Sequence, residues 1–283
     1  MRKQESISLI VTSDNHYAIL LAALLKSIEK NHKTDEKIDV YILDDNISSV
    51  NKSKIESTVT SDGMLLHWID LGSVVPDGVK FPIDNSAFPL SCCNRIFAPY
   101  AIPKEVEKVI YLDVDMIMLE DISKLWNIEL GDCLLGAVQD PVLTVSCSWG
   151  GIQNYKELGI PADTKYFNSG LLLVNLNKWR EEDITNRVWN LMHENIRYLN
   201  FPDQYGLNGV LYNRWLELDP RWNWYAQYEN VSPYIIHFTH VKPIYKDPKF
   251  LNRVLSVKTQ YSLPEFKAEF FKYLKLTPWK DYK

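Results

Sequence analysis

The chain has 283 residues, of which 46% are hydrophobic, and this is enough apolar side chain for one α/β catalytic domain with a small appendage. Its formal net charge of −5 excludes a general nucleic-acid-binding protein, because phosphate contacts require a basic surface. The most apolar run, residues 17–25, is about half as long as a membrane-spanning helix and lacks a signal-peptide cleavage pattern. Four cysteines without a CxxC pair are typical of a reducing compartment, so we expect a cytoplasmic protein.

Short apolar runs that are typical of buried strands alternate with segments of helical periodicity. The predicted strands span residues 7–11, 38–43, 65–69, 109–112, 134–138 and 171–174, and the predicted helices span residues 17–29, 48–59 and 178–197. This alternation predicts an α/β fold with a mostly parallel sheet flanked by helices, in which ligands bind beyond the carboxyl ends of the strands. The strand ends with candidate polar residues are at positions 13–15, 44–45 and 113–115.

The end of the chain differs from the rest in charge and in predicted structure. From residue 242 onward there are ten Lys/Arg and four Asp/Glu, although the whole chain is acidic. A helix is predicted over residues 265–274, with Pro264 near its first turn. We therefore predict a catalytic domain of residues 1–245 and a basic, aromatic helical tail of residues 246–283.

Aromatic residues form a stripe along this predicted tail helix. Phe266, Phe270 and Tyr273 recur at helical spacing, with lysines at the sides. Two interpretations are open. The stripe and its basic flanks could contact an anionic membrane at its inner face, or the stripe could pack on the catalytic domain.

Two carboxylates separated by one residue follow the apolar run 109–112. In an extended chain the side chains of Asp113 and Asp115 point to the same face, and two such carboxylates repel each other unless a cation lies between them. Hard cations such as Mn²⁺ or Mg²⁺ prefer oxygen ligands together with a substrate phosphate, so the pair predicts a metal–diphosphate site. Alternatively, the pair could cap a loop or begin a helix. Asp113 could also be the nucleophile of a haloacid-dehalogenase-type phosphohydrolase, although those enzymes usually carry this motif near the N-terminus, and here Met116 and Ile117 follow it.

Six further segments surround this pair: residues 10–18 (Ile-Val-Thr-Ser-Asp-Asn-His-Tyr-Ala), 41–48 (Tyr-Ile-Leu-Asp-Asp-Asn-Ile-Ser), 94–96 (Asn-Arg-Ile), 166–175 (Tyr-Phe-Asn-Ser-Gly-Leu-Leu-Leu-Val-Asn), 203–204 (Asp-Gln) and 236–239 (Ile-His-Phe-Thr). Together with residues 109–115 they resemble, in order, glycosyltransferase family 8, whose members have a Rossmann-like GT-A fold. The resemblance implies a metal-dependent enzyme that transfers a hexose, galactose or glucose, from a UDP-sugar to a hydroxyl of a glycan, glycolipid or glycoprotein acceptor, with retention of the anomeric configuration. A catalytically inactive UDP-sugar-binding module is the alternative.

The resemblance also implies a role for each matching side chain. The metal ligands would be Asp113, Asp115 and His237, with Mn²⁺ as the expected cofactor and Mg²⁺ as the alternative. Asp203 would accept hydrogen bonds from hydroxyls of the donor sugar, and Gln204 would lie on the face of the anomeric carbon opposite the leaving group. The residues expected to bind the donor are Thr12, Asp14, Asn15, Arg95, Asp113, Val114, Asn168, Ser169, Gly170 and Lys242.

Retention of configuration requires either two inversions through a covalent intermediate or attack from the leaving-group face. Gln204 is a poor nucleophile, and Asp203 is the one acidic residue next to it in sequence, since Tyr205 stands where the family pattern has an aspartate. We therefore expect same-face attack through an oxocarbenium-like state. The run from His237 to Lys242 is one residue shorter than the family pattern, which leaves the register of Lys242 open.

Overall fold

The computed structural model describes residues 6–74, 90–229, 232–239, 241–245 and 262–282. The strands within them are β1 (Ile7–Asp14), β2 (Ile38–Asp45), β3 (Met64–Asp70), β4 (Lys108–Leu112), β5 (Met116–Met118), β6 (Leu135–Gln139), β7 (Phe167–Asn175), β8 (Trp215–Glu217), β9 (Trp224–Tyr225) and β10 (Ile235–His237). The α-helices are α1 (Ala18–Asn31), α2 (Ser49–Glu56), α3 (Ala98–Ala101), α4 (Ile122–Trp126), α5 (Leu176–Glu181), α6 (Ile184–Glu194), α7 (Pro202–Leu211) and α8 (Pro264–Leu274). Shorter 3₁₀ segments span Leu71–Ser73, Leu90–Phe97, Ile196–Tyr198 and Pro220–Asn223. The predicted alternation of strands and helices is confirmed.

Seven of these strands form one sheet, in the order β3-β2-β1-β4-β7-β6-β8, and β5, β10 and β9 form a second, small sheet. Strands β1 to β4 pair in parallel, whereas β7 runs antiparallel between β4 and β6. The predicted mostly parallel sheet is confirmed, with β7 as the reversed strand. Because β7 is reversed, its first residues lie at the same edge of the sheet as the last residues of β4 and β6.

The single helix predicted over residues 178–197 is wrong, because this stretch contains the end of α5, then α6 and a 3₁₀ turn. Asp183 has φ 51°, a left-handed conformation that a right-handed helix cannot contain. The N–H of Asp183 bonds to the carbonyl oxygen of Arg180 at 3.2 Å, which closes α5 before α6 begins. The break is a backbone conformation that the apolar periodicity does not reveal.

Apolar side chains fill both faces of the large sheet. Along β1, Leu9 and Val11 belong to one buried core and Ile10 belongs to the other, because successive side chains of a strand point to opposite faces. The first core includes α1 and α8, and the second includes α6 and α7. Helices therefore flank the sheet on both sides, as the sequence predicted.

The aromatic stripe of the tail is buried. Phe266, Phe270 and Tyr273 lie in the core that α1 shares, and the Tyr273 hydroxyl accepts a hydrogen bond from the Asn31 side-chain amide at 2.8 Å. Of the two interpretations of the stripe, packing on the sheet domain is the one that the structure shows.

Residues 246–261, the start of the predicted tail, lie outside the described residues. In the described part of the chain, no helix is both long enough and apolar enough to pass through a bilayer.

Candidate active site

Asp113 and Asp115 lie in a turn between β4 and β5. The extended backbone predicted here is wrong, because the chain turns after β4 to enter the small sheet. Strand β5 pairs antiparallel with β10, and His237 is the register partner of Met116. The N–H of Phe238 donates to the carbonyl oxygen of Asp115 at 2.9 Å. The register of the small sheet, rather than alternation along one strand, therefore brings His237 to the two aspartates.

These three side chains form a cluster that fits a divalent cation. Nε2 of His237 lies 3.3 Å from Oδ1 of Asp115 and 3.8 Å from Oδ2 of Asp113. One potential ligand atom from each of the three lies within 4.8 Å of the others, and no other such group occurs among the described residues. Nδ1 of His237 lies 2.7 Å from Oδ1 of Asn223, so Nε2 is the nitrogen that faces the carboxylates. Two carboxylates and one imidazole nitrogen are a suitable donor set for a divalent metal.

Two cationic side chains lie against the cluster. The Arg95 guanidinium pairs with Asp113 at 2.9 Å (Nη2 to Oδ1) and with Asp203 at 3.0 Å (Nε to Oδ2). The Lys242 ammonium contacts a carboxylate oxygen of Asp115, in spite of the shorter run after β10. Both predicted cations are therefore next to the predicted metal ligands, and their positive charge offsets part of the charge on the carboxylates.

The pKa values of the two aspartates shift in opposite directions. Burial would raise the pKa of Asp115, but the charges of Lys242 and His237 outweigh it and hold that pKa well below its usual range. Burial raises the pKa of Asp113; the Arg95 charge opposes this shift, and the neighbouring Asp115 charge adds to it. Asp115 is therefore the more firmly ionised of the pair, and a bound cation would favour the ionised form of both.

Asp203 and Gln204 on α7, which were predicted to meet the donor sugar, lie against the donor-binding residues predicted at positions 168–170 of β7. The Ser169 hydroxyl donates to Oδ2 of Asp203 at 2.7 Å. Oε1 of Gln204 accepts from the Asn168 side-chain amide at 3.1 Å and from the Ser169 backbone N–H at 3.2 Å. The carbonyl oxygen of Gly170 accepts from the backbone N–H of Asp113 at 2.8 Å. The predicted sugar end and the predicted metal end of the site are therefore contiguous.

Three of the residues expected to bind the donor, Thr12, Asp14 and Asn15, lie at the end of β1, which is parallel to β4. Oδ1 of Asp14 accepts from the backbone N–H of Tyr17 at 2.8 Å. Oδ1 of Asn15 accepts from the backbone N–H of Ser48, just before α2, at 2.9 Å. The hydroxyl of Thr12 is buried without a hydrogen-bond partner among the described residues. Val114 packs its side chain into the first core, so any contact that it makes with a donor must come from its backbone.

Four residues that the sequence prediction missed also contribute to the site, and Asn223, beside His237, is one of them. Asp140 follows β6 and is buried, and its Oδ2 accepts from the Gln204 amide at 3.3 Å and from the Tyr225 hydroxyl at 2.8 Å. The Tyr111 hydroxyl donates to Oδ1 of Asp113 at 2.9 Å. Asp140 was detectable, since it follows an apolar run just as the other strand-end residues do. The two tyrosines carry no signal that separates them from core residues.

The chain is similar to known proteins in sequence and in fold. A model described as "Glycosyl transferase family 8" matches residues 8–245. General stress protein A of Bacillus subtilis is 30% identical over 226 residues, which cover 79% of this chain and 75% of that protein. The apo structure of WbbM, a bifunctional glycosyltransferase, has a TM-score of 0.78 at 21% identity and covers 99% of this chain and 51% of its own. The galactosyltransferase LgtC, in complex with donor and acceptor sugar analogs, has a TM-score of 0.69 at 22% identity and covers 93% of this chain and 100% of its own. The predicted GT-A fold is confirmed by these structural likenesses.

Proposed function

The chain belongs to glycosyltransferase family 8, and from that premise we propose that it transfers a hexose from a UDP-sugar to an acceptor hydroxyl, with a divalent cation and with retention of configuration. The convergence of Asp113, Asp115 and His237 beside two cationic side chains carries this proposal. Such an arrangement suits a ligand that brings phosphate charge to a metal. Galactose or glucose is the expected sugar, and the similar fold of LgtC, a galactosyltransferase, supports a hexose.

Asp113, Asp115 and His237 would hold the cation, Mn²⁺ in our proposal or Mg²⁺ as the alternative. When bound, such a cation would act as a Lewis acid and offset the negative charge that grows on the UDP leaving group. His237 is buried, and the amide oxygen of Asn223 accepts from its Nδ1, which directs Nε2 to the carboxylates. The ligands are thus oriented by the protein before any metal arrives.

Arg95 and Lys242 would supply fixed positive charge near the diphosphate. The Arg95 guanidinium lies over the ring of Tyr111, with its carbon 4.7 Å from the ring centroid, and it also donates to the carbonyl oxygen of Ser169. The Lys242 ammonium donates to the carbonyl oxygens of Phe238 and of the next residue at 2.9 and 3.1 Å. These contacts fix both charges in place, so little reorganisation is needed as charge develops on the leaving group.

The surroundings of Gln204 favour same-face attack. A covalent route requires a carboxylate that is free to act as a nucleophile, and two carboxylates lie close to Gln204. Asp203 is paired with Arg95 and accepts from the Ser169 hydroxyl. Asp140 accepts from Gln204, from a tyrosine hydroxyl and from two backbone N–H groups. Contacts of this number occupy the carboxylate oxygens of both residues and leave neither free to attack the anomeric carbon. Gln204 would then stabilise the oxocarbenium-like state from the face opposite the leaving group.

A panel of UDP-sugars tests the proposal. We expect UDP release from UDP-galactose or UDP-glucose with Mn²⁺, its loss in EDTA, and a product whose anomeric proton has the coupling of the donor when an acceptor is supplied. Asp115→Asn should remove the metal-dependent release while the protein remains folded. A failure of every UDP-sugar to release UDP would contradict transfer and favour the inactive donor-binding module. Release without transfer to any acceptor would point to a hydrolase.

A further inference from the structure

A line of hydrogen-bonded side chains joins the histidine of the metal cluster to Gln204. Nδ1 of His237 meets Oδ1 of Asn223 at 2.7 Å, and the amide of Asn223 donates to Oδ1 of Asn168 at 2.8 Å. The amide of Asn168 in turn donates to Oε1 of Gln204 at 3.1 Å. Asn223 is 3% exposed, and His237 and Gln204 are buried as well. Since water is excluded from most of this line, each group in it depends on its protein partners.

Two backbone N–H groups fix the direction of every bond in this line. A backbone N–H can only donate, and that of Gly170 points at one end of the Asn168 side chain at 3.0 Å, so that end must be the oxygen. Asn223 must therefore turn its NH₂ group to Asn168 and its oxygen to His237. The backbone N–H of Ser169 fixes the oxygen of Gln204 in the same way, at 3.2 Å. The amide orientations follow from backbone donors and not from a choice between equivalent flips.

The orientation of Asn223 determines which ring nitrogen of His237 carries hydrogen. An amide oxygen can only accept, so Nδ1 of His237 must be the protonated nitrogen. In a neutral imidazole the other nitrogen then presents a lone pair. That nitrogen, Nε2, is the one that lies 3.3 Å from Oδ1 of Asp115. The backbone of β7 thus selects, through two amides, the tautomer that a metal ligand needs.

We infer that Asn223 is a positioning residue with two separable tasks. Its oxygen holds His237 in the tautomer that binds a cation through Nε2, and its NH₂ group connects this ligand to Asn168 and Gln204. Asn223 ends a 3₁₀ segment and enters β9, which pairs in parallel with β10, so the two strands hold Asn223 beside His237. The first task requires only the cation. The second rests on the proposed transfer function, because it places Gln204 relative to the metal.

Metal binding tests the first task. Asn223→Leu removes the acceptor, and we expect Mn²⁺ to bind about ten- to a hundredfold more weakly, as for other partners of ligating histidines. Asn154→Leu is the matched control, since Asn154 is also buried and bonds to Tyr205 and Asn195 at 2.8 Å each. The control should lose a similar amount of thermal stability and keep the Mn²⁺ affinity of the unsubstituted protein. Free Mn²⁺ measured by electron paramagnetic resonance gives both affinities.

Asn223→Asp separates the two tasks. A carboxylate still accepts from His237, but it turns an oxygen toward Oδ1 of Asn168, where a donor is required. We expect Mn²⁺ to bind at least as tightly as in the unsubstituted protein, while kcat for UDP release falls and the donor KM changes little. Nitrogen chemical shifts of the His237 ring in the metal-free protein should show hydrogen on Nδ1 in the unsubstituted protein and in Asn223→Asp, whether or not Nε2 also carries hydrogen beside Asp115. In Asn223→Leu they should show a mixture of tautomers.

The outcomes distinguish this inference from the proposed function. An Nε2–H tautomer in the unsubstituted protein overturns the inference, and so does unchanged Mn²⁺ affinity in a folded Asn223→Leu variant. If Asn223→Leu does not fold, weak Mn²⁺ binding by Asn223→Asp overturns it instead. If no UDP-sugar is consumed but the tautomer and the loss of Mn²⁺ affinity are as expected, the transfer function fails and the role of Asn223 toward His237 stands.

Discussion

The substitution Gly170→Ala should damage the site with little effect on the fold. A methyl group at this position would lie 2.5 Å from Cε1 of His237, 2.8 Å from Oδ2 of Asp113 and 2.9 Å from Oδ1 of Asn168. Carbon atoms in contact prefer about 3.5 Å, so the His237 ring would have to move by about 1 Å. The backbone of Gly170 is not among the left-handed glycines, and an alanine therefore fits the conformation of β7.

The size of the effect follows from this displacement. Moving an oriented group by about 1 Å costs about a hundredfold in rate, or about 2.7 kcal/mol of activation free energy. Overpacking costs about 1–3 kcal/mol in the free energy of unfolding, which a domain of this size tolerates. We therefore expect a folded protein with weakened Mn²⁺ binding and a kcat/KM for UDP release that is lower by about a hundredfold.

Release of UDP at several Mn²⁺ concentrations, together with the thermal midpoint, measures both effects. Gly72→Ala is the control, since its methyl group would meet the Asp70 carboxylate at 3.5–3.9 Å, an ordinary contact distance. The control should retain both the rate and the metal affinity. If Gly170→Ala retains them as well, the close approach of β7 to His237 is not what shapes the metal site, and our reasoning is refuted.

Four further predictions concern the proposed metal ligands, Gln204 and, in two cases, the tail. Asp113→Asn and Asp115→Asn should each lower metal-dependent UDP release by at least about a hundredfold, and full activity in either variant together with insensitivity to EDTA would contradict the metal assignment. Gln204→Ala should lower kcat far more than donor affinity, whereas a change confined to KM would place Gln204 in ground-state binding only. Truncation after Tyr261 removes α8 and exposes the core around α1, so we expect an insoluble or unfolded product, and a folded, active one would show that α8 is dispensable. Phe270→Ala should lower the free energy of unfolding by about 3–5 kcal/mol in denaturant titrations, and a smaller loss would mean that the tail is loosely packed.

Local patterns in the sequence were sufficient for the fold class. Strand positions follow from short apolar runs. Because most strands are parallel, the polar residues that follow them lie at one edge of the sheet, where the candidate site is. The long helix over residues 178–197 failed at Asp183, where a single left-handed residue ends one helix and begins another. A periodicity of apolar side chains reports which face is buried, but it does not report the dihedral angles of one polar residue between two turns.

The site was predictable where a residue type and its place after a strand both point to chemistry. Asp113 and Asp115 met that condition, and family resemblance added His237. Asn223 could not be found in this way, because its importance comes from the pairing of β9 with β10 and from the orientation of a distant amide. Those facts depend on strand register across segments that are far apart in sequence. Asp140 was partly predictable. The sequence shows that it follows the strand β6, but it does not show that its carboxylate contacts Gln204.

The reversed strand β7 is what allows one edge of the sheet to hold both halves of the site. In an all-parallel sheet, Asn168, Ser169 and Gly170, at the start of their strand, would lie at the edge opposite the end of β4. Because β7 is antiparallel to β4, Leu171 pairs with Leu112, and Gly170 comes next to Asp113. The same reversal directs two backbone N–H groups at the amides that connect His237 to Gln204. The direction of this one strand therefore sets both the space for the proposed metal ligands and the orientation of the side chains that contact them.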